Sequence, residues 1–220
     1  ANIGLNNNLC RAYILQALAY RGLHDSENMI ASSNLAISMD CGDEIHCIAN
    51  DIIGYGHIVS GNYDEAERYL IAAISHNSDI DPYIVDMCYK DLSLLYIING
   101  DYAQATKYAS KITHNSLEEE LLIAWQSGNI RQTEKHTKAY YDWLVNNIKD
   151  VSSSLSNEQF TTFAHNRLDW DILPSIALSF SNSTECLQIA YNSVINFKGV
   201  SLRTGREMTQ YIRCSGIPPL

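Results

Sequence analysis

Prolines are scarce in this chain, four in 220 residues, and eleven glycines complete the supply of backbone breakers. That leaves little material for a flexible linker or a low-complexity tail. No apolar run approaches the ~20 residues that a membrane span needs. No charged–apolar–small leader pattern opens the chain, although it begins at Ala1 without a Met, so an upstream segment is expected to have been removed. Strand-like alternation bounded by Gly or Asn-Gly turns is essentially missing. Glycine-rich phosphate loops, nucleophile elbows and zinc-protease motifs are missing too. These absences argue against a membrane protein and against an enzyme complete within this chain.

Positive charge is also in short supply, with 15 Lys and Arg against 25 Asp and Glu. The deficit is local. Residues 151–220 carry five acids and five bases, so the first 150, with 20 acids and 10 bases, hold the whole net charge of −10. An acidic surface repels phosphate backbones, which disfavours nucleic acid as a partner of that region. Six cysteines (10, 41, 47, 88, 186 and 214) have no repeated spacing. They are expected to be buried small hydrophobes in a reducing compartment, with the protein cytoplasmic.

What is present is helical periodicity. In DMCYKDLSLLYII (86–98), Met87, Leu94, Leu95 and Ile98 recur at helical offsets. Ser116 with Glu119 and Ser156 with Gln159 spell capping boxes, and Asp81-Pro82 spells another helix start. Ser60-Gly61 and Asn99-Gly100 mark turns where a left-handed or extended residue ends one helix before the next. Within this all-α pattern one frame occurs twice. SGNYDEAERYL (60–70) and NGDYAQATKYA (99–109) share Gly-x-Tyr-x-x-Ala. Seven residues before each glycine stands a small residue, Gly54 or Ser93, and five after it an alanine, Ala66 or Ala105. Antiparallel helices approach closely only where small side chains occupy the crossing, so Gly54 is expected against Ala66 and Ser93 against Ala105. Tyr63 and Tyr102 are expected to wedge against the first helix of each pair.

This succession of small, large and turn residues resembles the tetratricopeptide repeat (TPR), a 34-residue helix–turn–helix unit. The spacing of 39 is absorbed by SHNSDIDP (75–82). A third copy at 126–143 keeps Gly128 but has Ile130 and Thr133 in place of Tyr and Ala, and 10–43 offers a helix pair without the frame. The resemblance implies a short all-α, TPR-like solenoid over residues 1–150, followed by a helical extension over 151–220. Aligned to the repeat, the concave groove takes Ile48, Asp51, Tyr55 and Ile58 from one helix, and Met87, Lys90, Leu94 and Ile97 from the next. Asp51, Tyr55, Ile58, Met87, Lys90 and Leu94 are the candidate binding residues for a protein or peptide. Packing against an adjoining helix fits the same positions equally well. The family's carboxylate clamp is missing, because Asp51 and Tyr55 stand where it needs cationic and amide groups.

Other constellations favour bland readings. Cys41, His46 and Cys47 lack a nearby fourth ligand, so no metal and no cofactor are expected. His57 replaces the repeat's usual aromatic residue and belongs to core or groove. Glu118, Glu119 and Glu120 fit the first turn of a helix through its macrodipole. Arg203, Arg206 and Arg213 form a solvated or interdomain face.

Beyond residue 155 further helices are expected over 156–165, 170–180, 183–199 (capped by Ser183) and 205–214. Here LSNEQF (155–160) and IAYNSVINFKGVSL (189–202) resemble the bacterial segment that joins TPR repeats to a CHAT domain, a caspase-like cysteine-peptidase fold. Leu155, Ser156, Glu158, Ala190, Tyr191, Asn192, Lys198, Gly199 and Leu202 match, while Gln159 stands where Arg is usual. YIRCSGIPPL (211–220) resembles the family's continuation. The resemblance implies that the dyad lies beyond Leu220, so neither Cys186 nor Cys214 is a nucleophile. It further implies a non-catalytic scaffold that controls its own downstream peptidase domain. The 183–214 segment, with the apolar face of Ala190, Tyr191, Val194, Ile195 and Phe197, is expected to cap the repeats and relay their state. The alternative is the TPR sensor region of a bacterial transcriptional regulator.

Overall fold

A computed structural model describes residues 3–39, 41–75, 80–152, 159 and 172–196. All regular structure among them is helical. The helices are α1 (Ile3–Gly22), α2 (Ser26–Ser38), α3 (Asp43–Val59), α4 (Tyr63–Ser75), α5 (Pro82–Ile98), α6 (Tyr102–Ala109), α7 (Leu117–Gln126), α8 (Ile130–Ser152), α9 (Ile172–Ser179) and α10 (184–196). No described helix is long and apolar enough to cross a membrane.

The chain divides into two compact units, Ala1–Ser127 and Gly128–Leu220. The sequence reading placed the change near residue 150, which lies within the last turn of α8. The earlier boundary has a physical cause. The buried side chains of α8 (Thr133, Thr137, Tyr140, Leu144, Ile148) form one helical stripe. Residues flanking it are tied to α10 and its cap in the second unit. Glu134 accepts a 2.6 Å hydrogen bond from Ser183, and Tyr141 accepts one from the Asn196 side chain.

In the first unit each helix packs on the next, from α1 through α6 and again at α6 with α7. The odd-numbered helices also touch one another in order: α1 with α3, α3 with α5, and α5 with α7. They therefore form a continuous layer. At the α3–α4 crossing, a Cβ on Gly54 would stand 2.5 Å from Leu70 Cγ and 3.2 Å from the Ala66 carbonyl. At the α5–α6 crossing the Ser93 hydroxyl donates to the Ala105 carbonyl over 3.2 Å. Both expected crossings are present.

The turns repeat as well. Gly61 and Gly100 have φ of 74°, and each helix end carries the two hydrogen bonds of a Schellman motif. Asn62 and Asp101 donate to the carbonyls of His57 and Tyr96, while Gly61 and Gly100 donate to Ile58 and Ile97. α1 ends the same way with His24 in the left-handed position. Asp25 donates to Tyr20, His24 donates to Arg21, and His24 takes φ 53°. Counting from these turns, Ala17 of α1 stands where α3 has Gly54 and α5 has Ser93. Ala17 is fully buried.

Other local expectations divide. Asp81 caps α5 by accepting from the Tyr83 amide, with Pro82 in the first turn, and Ser183 accepts from the Cys186 amide. The Ser116–Glu119 capping box does not form. Ser116 makes no cap bond and donates instead to Glu120, because Glu119 is turned inward to Lys90. Tyr102 reaches forward to the Gln126 carbonyl on α7, and Tyr63 is exposed. The helices expected at 156–165 and 205–214, the Ser156–Gln159 box, Arg203, Arg206, Arg213, Phe197, Cys214 and the CHAT-like residues Leu155, Ser156, Glu158, Lys198, Gly199 and Leu202 lie outside the described residues, Gln159 alone excepted. In α10, Ala190 is buried whereas Tyr191, Val194 and Ile195 are exposed.

The cysteine expectation fails at one pair. Cys10 and Cys41 form a disulfide. α1 and α2 run antiparallel, which brings the early part of α1 back to the residues just after α2, 31 positions later. A pairing made by a helix hairpin leaves no local spacing to read. It also removes the ground on which a reducing compartment was expected.

Candidate functional site

The layer of odd-numbered helices holds the polar structure of the first unit. Arg21, at the end of α1, reaches across two helices. Its Nη2 donates to Asp91 Oδ1 on α5 over 2.8 Å and its Nη1 stands 2.7 Å from Oδ2 as an ion pair, a fork with one hydrogen bond. Nη1 is also 3.4 Å from Asp51 on α3. The guanidinium sits over the Tyr55 ring, 3.8 Å from its centre, and the Tyr55 hydroxyl lies 3.5 Å from His24 Nδ1.

Asp51 and Asp91 are almost wholly buried, at 1% and 4% exposure. Two carboxylates and one guanidinium cannot all be charged cheaply here. Burial first, and then the charge of Asp91, push the Asp51 carboxyl well above its ordinary range against the pull of Arg21. Burial raises Asp91 as well, with the Arg21 fork opposing. Burial works against charge on Arg21, but Asp91 and then Asp51 overcome it and raise its pKa. Asp51 therefore holds a proton more readily than an exposed aspartate, while Asp91 carries the charge that Arg21 answers.

Two further contacts extend the layer. Lys90 Nζ stands 3.2 Å from Glu119 Oε1, joining α5 to α7. Glu118, Glu119 and Glu120 do occupy the first turn of α7, and the buried Glu119 also makes this interhelix pair. On α5, Asp86 anchors the segment after α6. Its carboxylate accepts from the Thr113 amide and hydroxyl and from the His114 amide, each at 2.9 Å, and lies 2.7 Å from His114 Nδ1. Burial opposes the Asp86 charge, yet these donors together hold its pKa below the ordinary value.

The six candidate groove residues are now placed. Asp51 is buried beneath Arg21, and Ile58 belongs to a core cluster with Ala66, Leu70, Leu92, Leu95 and Tyr108. Tyr55 carries the Arg21 stack, and Lys90 is held by Glu119. Met87 and Leu94 are half-buried and share one face of α5 with Asp91. Arg21 and Asp91 carry no motif in the sequence, and Glu119 is legible there only as a helix-start residue. Asp51 and Asp91 stood in it as acids inside apolar stretches, NDIIG and KDLSLL, and an acid at a buried helical phase is itself a signal of a hidden cation.

Among the described residues no group of three His, Cys, Asp or Glu side chains is placed to hold a metal ion. The arrangement can clamp three helices together and set their spacing. No protein-family model, curated protein or solved structure matches the chain.

Proposed function

We propose that the first unit is a TPR-like α-solenoid that serves as a non-catalytic protein-interaction scaffold, with a protein or peptide lying along the layer of odd-numbered helices. The observation that carries this reading is the order of helix contacts. Each helix meets its successor, and every odd helix meets the next odd helix, which is how stacked helix pairs build an extended binding surface. The recurrence of the small-residue crossing and of the Schellman turn in successive pairs supports the same reading.

The buried ion cluster refines where a ligand would bind. Asp51, Lys90 and Ile58 are already engaged within the protein. A bound segment would therefore rest on the half-buried Tyr55, Met87 and Leu94 rather than on a charged clamp. The likeness of 189–202 to the CHAT-linked segment supports placing a cysteine peptidase downstream as the domain this scaffold controls.

The test is selection of peptides from a displayed random library against the intact chain, followed by binding isotherms. Selected peptides are expected to lose about tenfold in affinity, roughly 1.4 kcal/mol, on Met87→Gln or Leu94→Gln. Arg68→Ala, on the exposed face of α4, is expected to leave them unchanged. Peptides equally sensitive to Arg68→Ala and indifferent to Met87 and Leu94 would sink the groove assignment.

A further inference from the structure

We propose that Cys47 and Cys88 are a dithiol/disulfide couple, a modification site that joins α3 to α5 beneath the Arg21 cluster. Their sulfurs lie 3.8 Å apart. Both side chains are fully buried, packed with Ala73 and bordered by Ile74, Ile80 and Ile84. They sit 41 positions apart in the chain, so it is the packing of α3 on α5 that makes them neighbours. A disulfide needs the sulfurs at about 2.05 Å, a closure of about 1.8 Å that side-chain rotation can largely supply. The remaining free cysteine among the described residues, Cys186, is in the other unit.

The two thiols are not equivalent. The contact with Cys88 holds the Cys47 thiol below its ordinary value despite burial, whereas that same contact and burial push Cys88 upward. Cys47 is thus the more readily ionised thiol and takes the attacking role, with Cys88 the resolving thiol. The oxidant that suits so enclosed a pair is small, a hydroperoxide. The Cys47 thiolate attacks the terminal peroxide oxygen, the O–O bond breaks, and hydroxide leaves, giving a sulfenic acid at Cys47. Cys88 sulfur then attacks the Cys47 sulfur; its proton passes to the departing hydroxyl, which leaves as water. In total, two thiols and one hydrogen peroxide give one disulfide and two waters.

The couple bears on the layer above it. The Cys88 thiol also donates to the Ile84 carbonyl over 3.4 Å. Oxidation removes that donor and ties together the two helices whose spacing the Arg21 fork sets. The proposal goes beyond the scaffold reading and does not depend on it.

The experiment treats the whole chain with hydrogen peroxide and maps tryptic peptides without reduction, before and after dithiothreitol. The expected result is a cross-link between the Cys47 and Cys88 peptides, with loss of two hydrogens in mass, reversed by the reductant. The oxidised chain is expected to melt several degrees higher, as a cross-link that closes a loop of this length does. Cys186 is expected to remain alkylatable after denaturation. Separate oxyacids at Cys47 and Cys88, or two untouched thiols at peroxide levels that oxidise an exposed thiol, would overturn the couple. The wild-type map decides this by itself, and Cys47→Ala, which should abolish the cross-link, serves as the control.

Discussion

Ser93 on α5 donates its hydroxyl to the carbonyl of Ala105 on α6, at the position where the preceding pair sets Gly54 over Ala66. The two crossings solve one problem differently. Gly54 removes the side chain so that Leu70 can fill the gap, while Ser93 keeps a small one and bonds it.

This difference predicts unequal tolerance. Gly54→Ala places a methyl 2.5 Å from a buried leucine carbon, an overpacking cost of about 1–3 kcal/mol that about 1 kcal/mol of helix propensity only partly offsets. Ser93→Ala should stay within about 1 kcal/mol of wild type. Ala66→Glu and Ala105→Glu, at fully buried sites, should cost roughly 3–5 kcal/mol. Urea melts measure all four, and an unchanged midpoint for either glutamate variant would refute the crossings.

The two buried aspartates should respond in opposite ways to amidation. Asp91→Asn removes the charge that pairs with Arg21 and should cost about 2–4 kcal/mol. Asp51→Asn mimics the protonated form and should stay within about 1 kcal/mol near neutrality. The pH dependence has a definite sign. Because the folded pKa of Asp51 is raised, its stabilising contribution is complete below the unfolded value of about 4 and is lost as pH rises through the folded value. The Asp51→Asn chain should therefore gain on wild type as pH rises. A variant that instead loses ground with rising pH would contradict the assignment.

Asp86 should behave in the reverse sense. Its folded pKa is depressed, so its contribution is present above the unfolded value of about 4 and disappears as pH falls through the folded one. Asp86→Ala should cost about 2–4 kcal/mol at neutral pH by freeing residues 113–114. That penalty should shrink in acid. Amide exchange at Thr113 and His114 supplies an independent readout, since both amides donate to Asp86.

His24 occupies a left-handed position that Gly61 and Gly100 fill in the later turns. His24→Gly should stabilise the chain by about 0.5–1 kcal/mol by relieving the Cβ contact of that conformation. The contact with Tyr55 is long, 3.5 Å, and exposed, so little opposes the gain. A loss of stability in thermal melts would mean that the His24–Tyr55 contact outweighs the backbone term.

Much of the fold could be read because its determinants are local. A glycine at positive φ, an Asp-Pro helix start and a small residue seven positions before a turn each act within one helix pair, so Gly61, Asp81 and Gly54 announced themselves. The Ser116–Glu119 box misled because a longer-range partner, Lys90, outcompeted the cap for the Glu119 carboxylate. The candidate site was legible only in outline. Tyr55, Met87 and Leu94 keep partly accessible surface, but Asp51 and Ile58 are drawn into the interior.

The sequence by itself determined an all-helical chain, the places where its helices turn, and the residues at two of its crossings, because periodicity and turn chemistry need only neighbours a few positions away. The tertiary structure alone decided that Arg21, Asp51 and Asp91 meet, that Cys10 bonds Cys41, and that Cys47 lies against Cys88. Those partners stand 30 to 70 positions apart in the chain. Nothing in their spacing records the packing of one helix on another that brings them within a few ångströms.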